Sequence, residues 1–218
     1  MPNNRDRRSR LGGEALGSAC RSLSLQINNG TELHLGCSVP GVADWYLRRK
    51  DRELVLGRRT YEIFEAYWPY QPNDNPIAKT LNSAKKHVAS RTLTMLHWNN
   101  STLLHGDAAS AVIALKAQPG PDLQVIGSGN LIQTLQAASL IDEYNVWTFP
   151  VVLGRGKRLF SDAAKPSALR LVRSQVSTTG VVMSIYVPSG DIQPGSFTSA
   201  EPSEKELARR KKMADEMW

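Results

Sequence analysis

The sequence has few cysteines and no long hydrophobic run, and these absences exclude several classes of protein. Its 218 residues include only two cysteines, Cys20 and Cys37, which form no CxxC motif. They predict neither a disulfide framework nor a zinc site, as suits a reducing compartment. No segment approaches the roughly 20 apolar residues of a membrane helix. Residues 1–10 are basic but lack the apolar part of a secretory signal. We therefore expect a cytoplasmic protein that does not span a membrane.

Several catalytic motifs are missing as well. No two of the four histidines have the spacing of metal ligands, so no metal site is predicted. Ser128 does not lie in a G-x-S-x-G elbow, which argues against a hydrolase. The turn Gly127-Ser128-Gly129 is no Rossmann fingerprint, since Ile132 occupies the position of its third glycine, and it is no P-loop. Asp142 and Glu143 are paired carboxylates, but at a helix-to-strand turn we interpret them as structural.

What the chain does have is a surplus of positive charge and enough apolar residues for one core. The net charge is +7, the pI is about 9.6 and 41% of the residues are hydrophobic. The length fits one substantial domain with tails. The charge favours anionic partners, either nucleic acid or a phosphorylated small molecule.

Composition divides the chain into three parts. Residues 1–20 are basic, lack periodicity and are predicted to be disordered. Residues 21–188 are predicted to form the folded domain, and residues 189–218 a linker followed by a charged helical tail. Within the domain, alternating apolar residues on both sides of Asn29-Gly30 predict a β-hairpin over about 22–36.

Strands and helices alternate between residues 53 and 149, which predicts a mainly parallel sheet with helical crossovers. Two late strands, about 168–176 and 181–187, are joined by a tight turn at Thr179-Gly180 and should be antiparallel. The predicted fold class is therefore α/β, a three-layer domain with a mixed, mainly parallel central sheet and an antiparallel C-terminal hairpin.

Three predicted strands end in groups that suit phosphate. Glycine allows backbone N–H groups to approach an anion, arginine offers a charge-assisted fork, and serine or threonine adds a neutral donor. Parallel strands would bring all three loops to one edge of the sheet. The combination fits a dinucleotide with an additional 2′-phosphate, that is, NADPH. The three groups are Gly57, Arg58, Arg59 and Thr60, then Ser90 and Arg91, then Gly127, Ser128 and Gly129.

Each loop also has a simpler interpretation. The glycine turn can serve only to connect a strand to a helix, and Arg58 and Arg59 can be solvated surface charges. The basic segment GRGKRLF reads most simply as a hairpin turn, although Lys157 could meet a substrate phosphate. The residues alone therefore leave the phosphate cradle and the plain chain reversal as alternatives.

Five segments in order give the chain a family resemblance. They are LVLGRRTYEIF, HVASRTL, LQVIGSGNLIQTL, LIDEYNVWTFPVVLGRGKRLF and TTGVVMSIY. Together they resemble the dihydrofolate reductase-like superfamily, in the branch of the reductase domain of the riboflavin-biosynthesis deaminase–reductase, over about residues 52–187. The resemblance implies hydride transfer from NADPH. It places Gly57, Arg58, Arg59 and Thr60 at the pyrophosphate, Ser90 and Arg91 at the adenosine 2′-phosphate, and Gly127, Ser128, Gly129 and Asn130 on the phosphates.

The resemblance fails near the N-terminus. Family members usually begin with a central strand and a Ser-Leu-Asp-Gly-like segment that shapes the substrate pocket, and residues 22–50 do not match it. No catalytic residue is therefore assigned. The leading hypothesis is an NADPH-dependent reductase, in this branch acting on the ribosyl group of an aminouracil phosphate, with a possible homodimer as the resemblance implies. The alternatives are a catalytically impaired NADPH-binding protein and, less favoured, a nucleic-acid binder.

Overall fold

The computed structural model describes residues 21–29, 51–72, 74–152, 158–160, 164–193, 195 and 201–216. These residues form eight strands and five α-helices. The strands are β1 (Leu23–Asn29), β2 (Arg52–Gly57), β3 (Lys86–Ala89), β4 (Ser101–Leu104), β5 (Asp122–Ile126), β6 (Glu143–Thr148), β7 (Leu169–Val176) and β8 (Val182–Pro188). The helices are α1 (Arg58–Glu65), α2 (Pro76–Ser83), α3 (Ala108–Lys116), α4 (Gly129–Ala137) and α5 (Glu204–Asp215), with a 3-10 turn at Trp68–Tyr70.

All eight strands belong to one sheet, in the order β4-β3-β2-β5-β1-β6-β8-β7. The six strands from β4 to β6 run parallel to their neighbours. Strand β8 is antiparallel to both β6 and β7. The sheet is therefore mixed and mainly parallel with an antiparallel C-terminal hairpin, and the predicted fold class is confirmed.

Strand β1 occupies the centre of this sheet. It pairs in parallel with β5 from Leu23 to Gln26 on one side and with β6 from Ser24 to Asn29 on the other. Because both of its edges are already paired, the hairpin predicted over 22–36 is wrong for its first strand. The second half of that hairpin lies outside the described residues. This N-terminal segment thus supplies a central strand, a position in the sheet that its sequence did not indicate.

Helices cover the sheet on both faces and create two cores. On one face, α1 and α2 contribute Tyr61, Phe64, Ala78 and Leu81 to a cluster with Leu54, Val88, Trp98 and Trp147. On the other face, α3 and α4 contribute Val112, Leu115, Leu131 and Leu135 to a cluster with Leu23, Val55 and Val125. This alternation follows from the period-2 geometry of strands, in which successive side chains point to opposite faces.

Local signals explain where two of the helices begin. Asn75 caps α2 by accepting hydrogen bonds from the N–H groups of Ile77 and Ala78. Asp107 caps α3 by accepting from the N–H of Ser110 at 2.9 Å, as aspartate commonly does at this position. A threonine ahead of an apolar helical pattern favours an N-cap, but Thr60 is not the cap of the first helix, because α1 begins at Arg58 with Gly57 in the N-cap position.

The amino-terminal edge of the sheet is held by carboxylates. Asp142 accepts from the backbone N–H of Leu23 and from the Lys116 ammonium, both at 2.6 Å. Asp122 accepts from the N–H of Ser22 at 3.2 Å. The structural interpretation of Asp142 is confirmed, and these bonds anchor the start of β1.

The C-terminal tail forms α5, which has no buried residue. Its charged side chains pair along the helix, with Arg209 and Arg210 both bonded to Glu206. None of the helices in the described ranges is both long and apolar enough to cross a bilayer.

Candidate functional site

The three phosphate-friendly loops lie side by side at the carboxyl-terminal edge of the sheet. Gly57, the last residue of β2, pairs with Ala89, so Ser90 and Arg91 follow directly beside it. On its other side, β2 pairs with β5 up to Val55 and Val125, which brings Gly57 level with Gly127. Neighbouring strands are about 4.8 Å apart. The loops after β2, β3 and β5 therefore lie next to one another, as the sequence predicts for a common anion site.

The same edge contains a topological switch point. Strands β5 and β1 are neighbours, yet the chain leaves β1 for β2 on one side and leaves β5 for β6 on the other. In open α/β sheets a crevice forms outside the carboxyl ends of such strands, and ligands bind there. Past the Gln26–Ile126 pair at the end of β5, β1 and β6 continue together to the Asn29–Thr148 pair, so this strand pair extends further at this edge than β5 does.

A hydrogen-bond network joins the loop after β2 to the loop after β5. The N–H of Gly57 donates to the Ser128 hydroxyl at 2.9 Å. The N–H of Ser128 donates to the Thr60 hydroxyl at 3.0 Å, and the two hydroxyl oxygens are 2.9 Å apart. Three of the residues predicted to bind phosphate are thus bonded to one another, although 68 positions separate Thr60 from Ser128.

The glycine turn has the backbone conformation that its composition indicates. Gly127 and Ser128 both have left-handed dihedrals, with φ values of 58° and 54°. A Cβ atom added to Gly127 would lie 3.5 Å from the Thr60 hydroxyl oxygen. Two successive left-handed residues turn the chain sharply from β5 into α4, and glycine adopts this conformation without the usual cost.

Helices α1 and α4 both begin at this edge without a side-chain cap. Gly57 has no side chain to offer, and the hydroxyl of Ser128, the N-cap of α4, makes no capping bond. The first backbone N–H groups of a helix have no partner within the helix and carry partial positive charge. Two adjacent uncapped helix starts are suited to bind an anion with more than one phosphate group.

The arginines around the edge differ in their surroundings. Arg58 donates to both carboxylate oxygens of Glu62 at 2.9 Å, so its charge is partly compensated. Arg59 and Arg91 are exposed and make no ion pair within the described part of the chain. Ser90 accepts from the N–H groups of Thr92 and Leu93, which holds the turn that presents Arg91.

Sequence reasoning missed the contribution of β1 to this site. Its alternating leucines indicated a strand, but nothing in them indicated that its end would lie beside β6 at Thr148. The described residues at the edge offer backbone donors, hydroxyls and guanidinium groups. Groups of these kinds are suited to an anionic ligand, and none of them is assigned a catalytic role.

Comparison with known families matches residues 45–183, more than half of the chain, to the RibD C-terminal domain. Two curated relatives come from Bacillus subtilis (strain 168). The uncharacterized protein YyaP is 32% identical over 138 residues, which are 61% of this chain and 72% of YyaP. The uncharacterized protein YwjB is 26% identical over 132 residues, which are 60% of this chain and 70% of YwjB.

Three solved structures share the fold. A putative riboflavin biosynthesis protein from Shewanella sp. PV-4 has a TM-score of 0.60 at 20% identity and covers 78% of this chain and 99% of its own. A pyrimidine reductase-like protein from Corynebacterium diphtheriae has a TM-score of 0.54 at 14% identity, covering 78% and 93%. RibD from Acinetobacter baumannii has a TM-score of 0.53 at 14% identity, covering 79% and 59%. The matched family segment begins after β1, so the central strand precedes it.

Proposed function

The chain belongs to the RibD C-terminal domain family, and from that premise we propose that it is a reductase that uses NADPH. Family membership supports a reductase of the riboflavin-biosynthesis type. The identity of the cofactor and the identity of the acceptor are proposed in addition. NADPH supplies a hydride when bound, so the chain itself has to bind and orient the two reactants.

The observation that supports this function most strongly is the pair of uncapped helix starts at the switch point. Helices α1 and α4 begin in adjacent loops, and the Thr60–Ser128 contact holds these loops together. The backbone N–H groups at Arg58 and Arg59, and at Gly129 and Asn130, would receive the pyrophosphate. Their partial positive charge stabilises its negative charge without any side-chain titration.

Specificity for the 2′-phosphate is proposed to reside one strand further along. Arg91 follows β3, is exposed, and stands on a turn that Ser90 holds. A guanidinium group binds a phosphate dianion through charge-assisted hydrogen bonds. Arg91, with Arg59 at the start of α1, would therefore favour NADPH over NADH.

We propose an aminouracil that carries a ribosyl phosphate as the acceptor, with reduction of the ribosyl group to ribityl. The net charge of +7 suits such an anion. The crevice beside Asn29 and Thr148 is the place where the nicotinamide and the acceptor would meet. Most of the segment that departs from the family, residues 30–50 of 22–50, lies outside the described residues, so catalytic impairment is the alternative that an activity assay has to exclude.

Strand β7 supports a further part of the proposal, a homodimer. It is an edge strand whose residues after Leu169 are all exposed, among them Leu171, Val172 and Val176. An unpaired strand edge with apolar side chains is a ready surface for pairing with a second copy. Sedimentation should show a dimer in the wild type and a monomer in Val172→Lys. A monomeric wild type would contradict this part of the proposal.

The cofactor proposal is tested by titrating the protein with NADPH and with NADH and following nucleotide fluorescence. We expect tighter binding of NADPH than of NADH. In Arg91→Ala the affinity for NADPH should fall by about tenfold to a hundredfold with little change for NADH, since one charge-assisted phosphate contact is worth about 1.5–3 kcal/mol. Arg210→Ala, on the exposed helix α5, is the matched control. Equal affinity for both nucleotides in the wild type would contradict the proposal.

Catalysis is tested separately by following NADPH oxidation with the aminouracil ribosyl phosphate as acceptor. Steady turnover, lost on omission of the acceptor, would support the reductase. Tight NADPH binding without turnover would leave the cofactor-binding alternative.

A further inference from the structure

We propose that Thr60 and Ser128 act as positioning residues, which hold the starts of α1 and α4 at a set distance. The proposal rests on the proposed function, because it explains how two helix starts come to serve one pyrophosphate. It assigns to the two hydroxyl groups a role that their sequence motifs do not indicate.

The hydrogen bonds occupy most of the capacity of the Ser128 hydroxyl and tie it to Thr60. The Ser128 oxygen accepts from the N–H of Gly57, lies 2.9 Å from the Thr60 oxygen and 3.2 Å from the carbonyl oxygen of Ile126. The Thr60 oxygen accepts from the N–H of Ser128 at 3.0 Å. A hydroxyl has one donor and two acceptor lone pairs. Ser128 therefore has little hydrogen-bonding capacity left for a ligand.

Ser128 occupies a position where serine usually serves another purpose. At a helix N-cap, a serine side chain ordinarily accepts from an N–H group of the first turn. Here that bond is not made, because the hydroxyl is directed to Gly57, Thr60 and Ile126. The same geometry that joins the loops leaves the N–H groups at the start of α4 available.

Two glycines lie at the contact between the loops. A Cβ atom added to Gly57 would lie 3.4 Å from the Ser128 hydroxyl oxygen, and one added to Gly127 would lie 3.5 Å from that of Thr60. Each glycine thus faces the hydroxyl of the opposite loop. The four residues form one contact, which we call the loop clasp: Gly57, Thr60, Gly127 and Ser128.

Loss of the loop clasp should weaken the binding of some ligands and not of others. NADPH and NADH share the pyrophosphate, so both should bind more weakly when the two helix starts are no longer held together. Adenosine 2′-phosphate lacks the pyrophosphate, so its affinity should change little. Arg91→Ala should instead weaken the binding of NADPH and adenosine 2′-phosphate and leave NADH nearly unchanged, which separates positioning by the clasp from recognition of the 2′-phosphate.

The experiment measures the affinity of Thr60→Val, Ser128→Ala and the double variant for NADPH, NADH and adenosine 2′-phosphate. Since the hydroxyls act as one contact, we expect each single variant to lose about tenfold for both dinucleotides and the double variant to lose little more. Thr60→Ser, which keeps the hydroxyl, should restore binding to within about twofold. Thr80→Val and Ser83→Ala on α2 are matched controls that remove hydroxyls away from this edge.

Additive losses in the double variant would overturn the proposal, because independent phosphate ligands behave in that way. A parallel fall in the affinity for adenosine 2′-phosphate and in the thermal midpoint would also overturn it, since the hydroxyls would then serve only the fold. Wild-type protein that binds neither dinucleotide would refute the proposed function and this inference with it. Wild-type protein that binds NADPH while its clasp variants bind equally well would refute the inference alone.

Discussion

The two edges of the sheet use polar groups in opposite ways. At the amino-terminal edge, charged side chains are paired with one another or with backbone groups. At the carboxyl-terminal edge, neutral hydroxyls join the loops, two helices start without a cap, and Arg59 and Arg91 are exposed. Among the described residues, the first edge pairs its charged side chains, whereas the second leaves Arg59 and Arg91 exposed without an ion pair.

Glu53 shows how completely the amino-terminal edge is paired. Its carboxylate lies 2.6 Å from the Arg21 guanidinium and 2.8 Å from the His87 ring, with Lys85 at 3.6 Å. Burial by itself raises the pKa of Glu53. Hydrogen bonds from His87 and Arg21, together with their charges, outweigh burial and lower the pKa below its ordinary value.

Lys86, on the neighbouring strand, is fully buried. Its ammonium donates to the carbonyl oxygens of Asn82, Ala84 and Asn99, and it lies 4.2 Å from the centre of the Trp98 ring. Burial lowers the pKa of Lys86 to about 8. An ammonium group enclosed in this way is not available to a ligand. Shifted pKa values therefore do not locate the candidate ligand site in this protein, since Glu53 and Lys86 lie at the opposite edge of the sheet.

The largest effect is expected at the amino-terminal edge, from Glu53→Gln. The change leaves the buried Arg21 charge without its carboxylate, and breaking such a pair costs about 3–5 kcal/mol. Urea denaturation should show this loss of unfolding free energy, while NADPH affinity of the folded fraction stays unchanged. A matching loss of NADPH affinity would mean that the two edges are not independent.

The same variant should also change the pH dependence of stability. Because the pKa of Glu53 is lower in the folded state, its contribution is fully present above the unfolded value of about 4.3 and is lost as the pH falls through the folded value. The stability difference between wild type and Glu53→Gln should therefore shrink in acid. A difference that stays constant down to pH 3 would contradict the pairing.

Lys86→Met should have the next largest effect. The methionine fills the volume but leaves three carbonyl oxygens without their donor, which we expect to cost about 2 kcal/mol. Between pH 8 and 10.5 the unfolded state retains a proton that folded Lys86 has lost, so wild-type stability should gain with pH relative to the variant. Denaturation curves at pH 7 and pH 10 check both statements, and a smaller difference at the higher pH would contradict the second.

Gly127→Ala should have a smaller effect on stability and a specific effect on binding. Alanine in the left-handed conformation costs about 1–2 kcal/mol, and its Cβ would meet Thr60. Gly190→Ala is the matched control, because Gly190 has φ of 80° but open space around its Cβ position. Both variants should lose similar stability, and only Gly127→Ala should lose NADPH affinity.

Glu62→Gln should have the smallest effect, and in the favourable direction. Removing this carboxylate releases Arg58 from its ion pair and takes a negative charge away from the start of α1. We expect NADPH to bind about threefold more tightly at low salt, with the gain disappearing as ionic strength rises. Weaker binding would indicate that the Arg58–Glu62 pair is itself part of the phosphate site.

Much of the architecture could be predicted from local patterns. The Thr179-Gly180 turn, the Asp107 cap and the succession of strands and helices depend on residues close together in the chain. The cap of α1 could not be assigned correctly, because Thr60 bonds to Ser128 in another loop and not to its own helix. The hairpin prediction failed for a similar reason, since Asn29-Gly30 is a turn signal that does not say which strand pairs with β1.

By itself, the sequence determined the alternation of strands and helices, the antiparallel ending and the three loops rich in glycine, arginine and hydroxyl groups. Only the tertiary structure decided that β1 is central, that Glu53 is enclosed by cations and that Thr60 and Ser128 hold two loops together. Short-range periodicity and turn chemistry act over a few residues. The remaining features depend on contacts between distant positions, such as Leu23 with Asp142, 119 residues apart, and these exist only once the sheet has assembled.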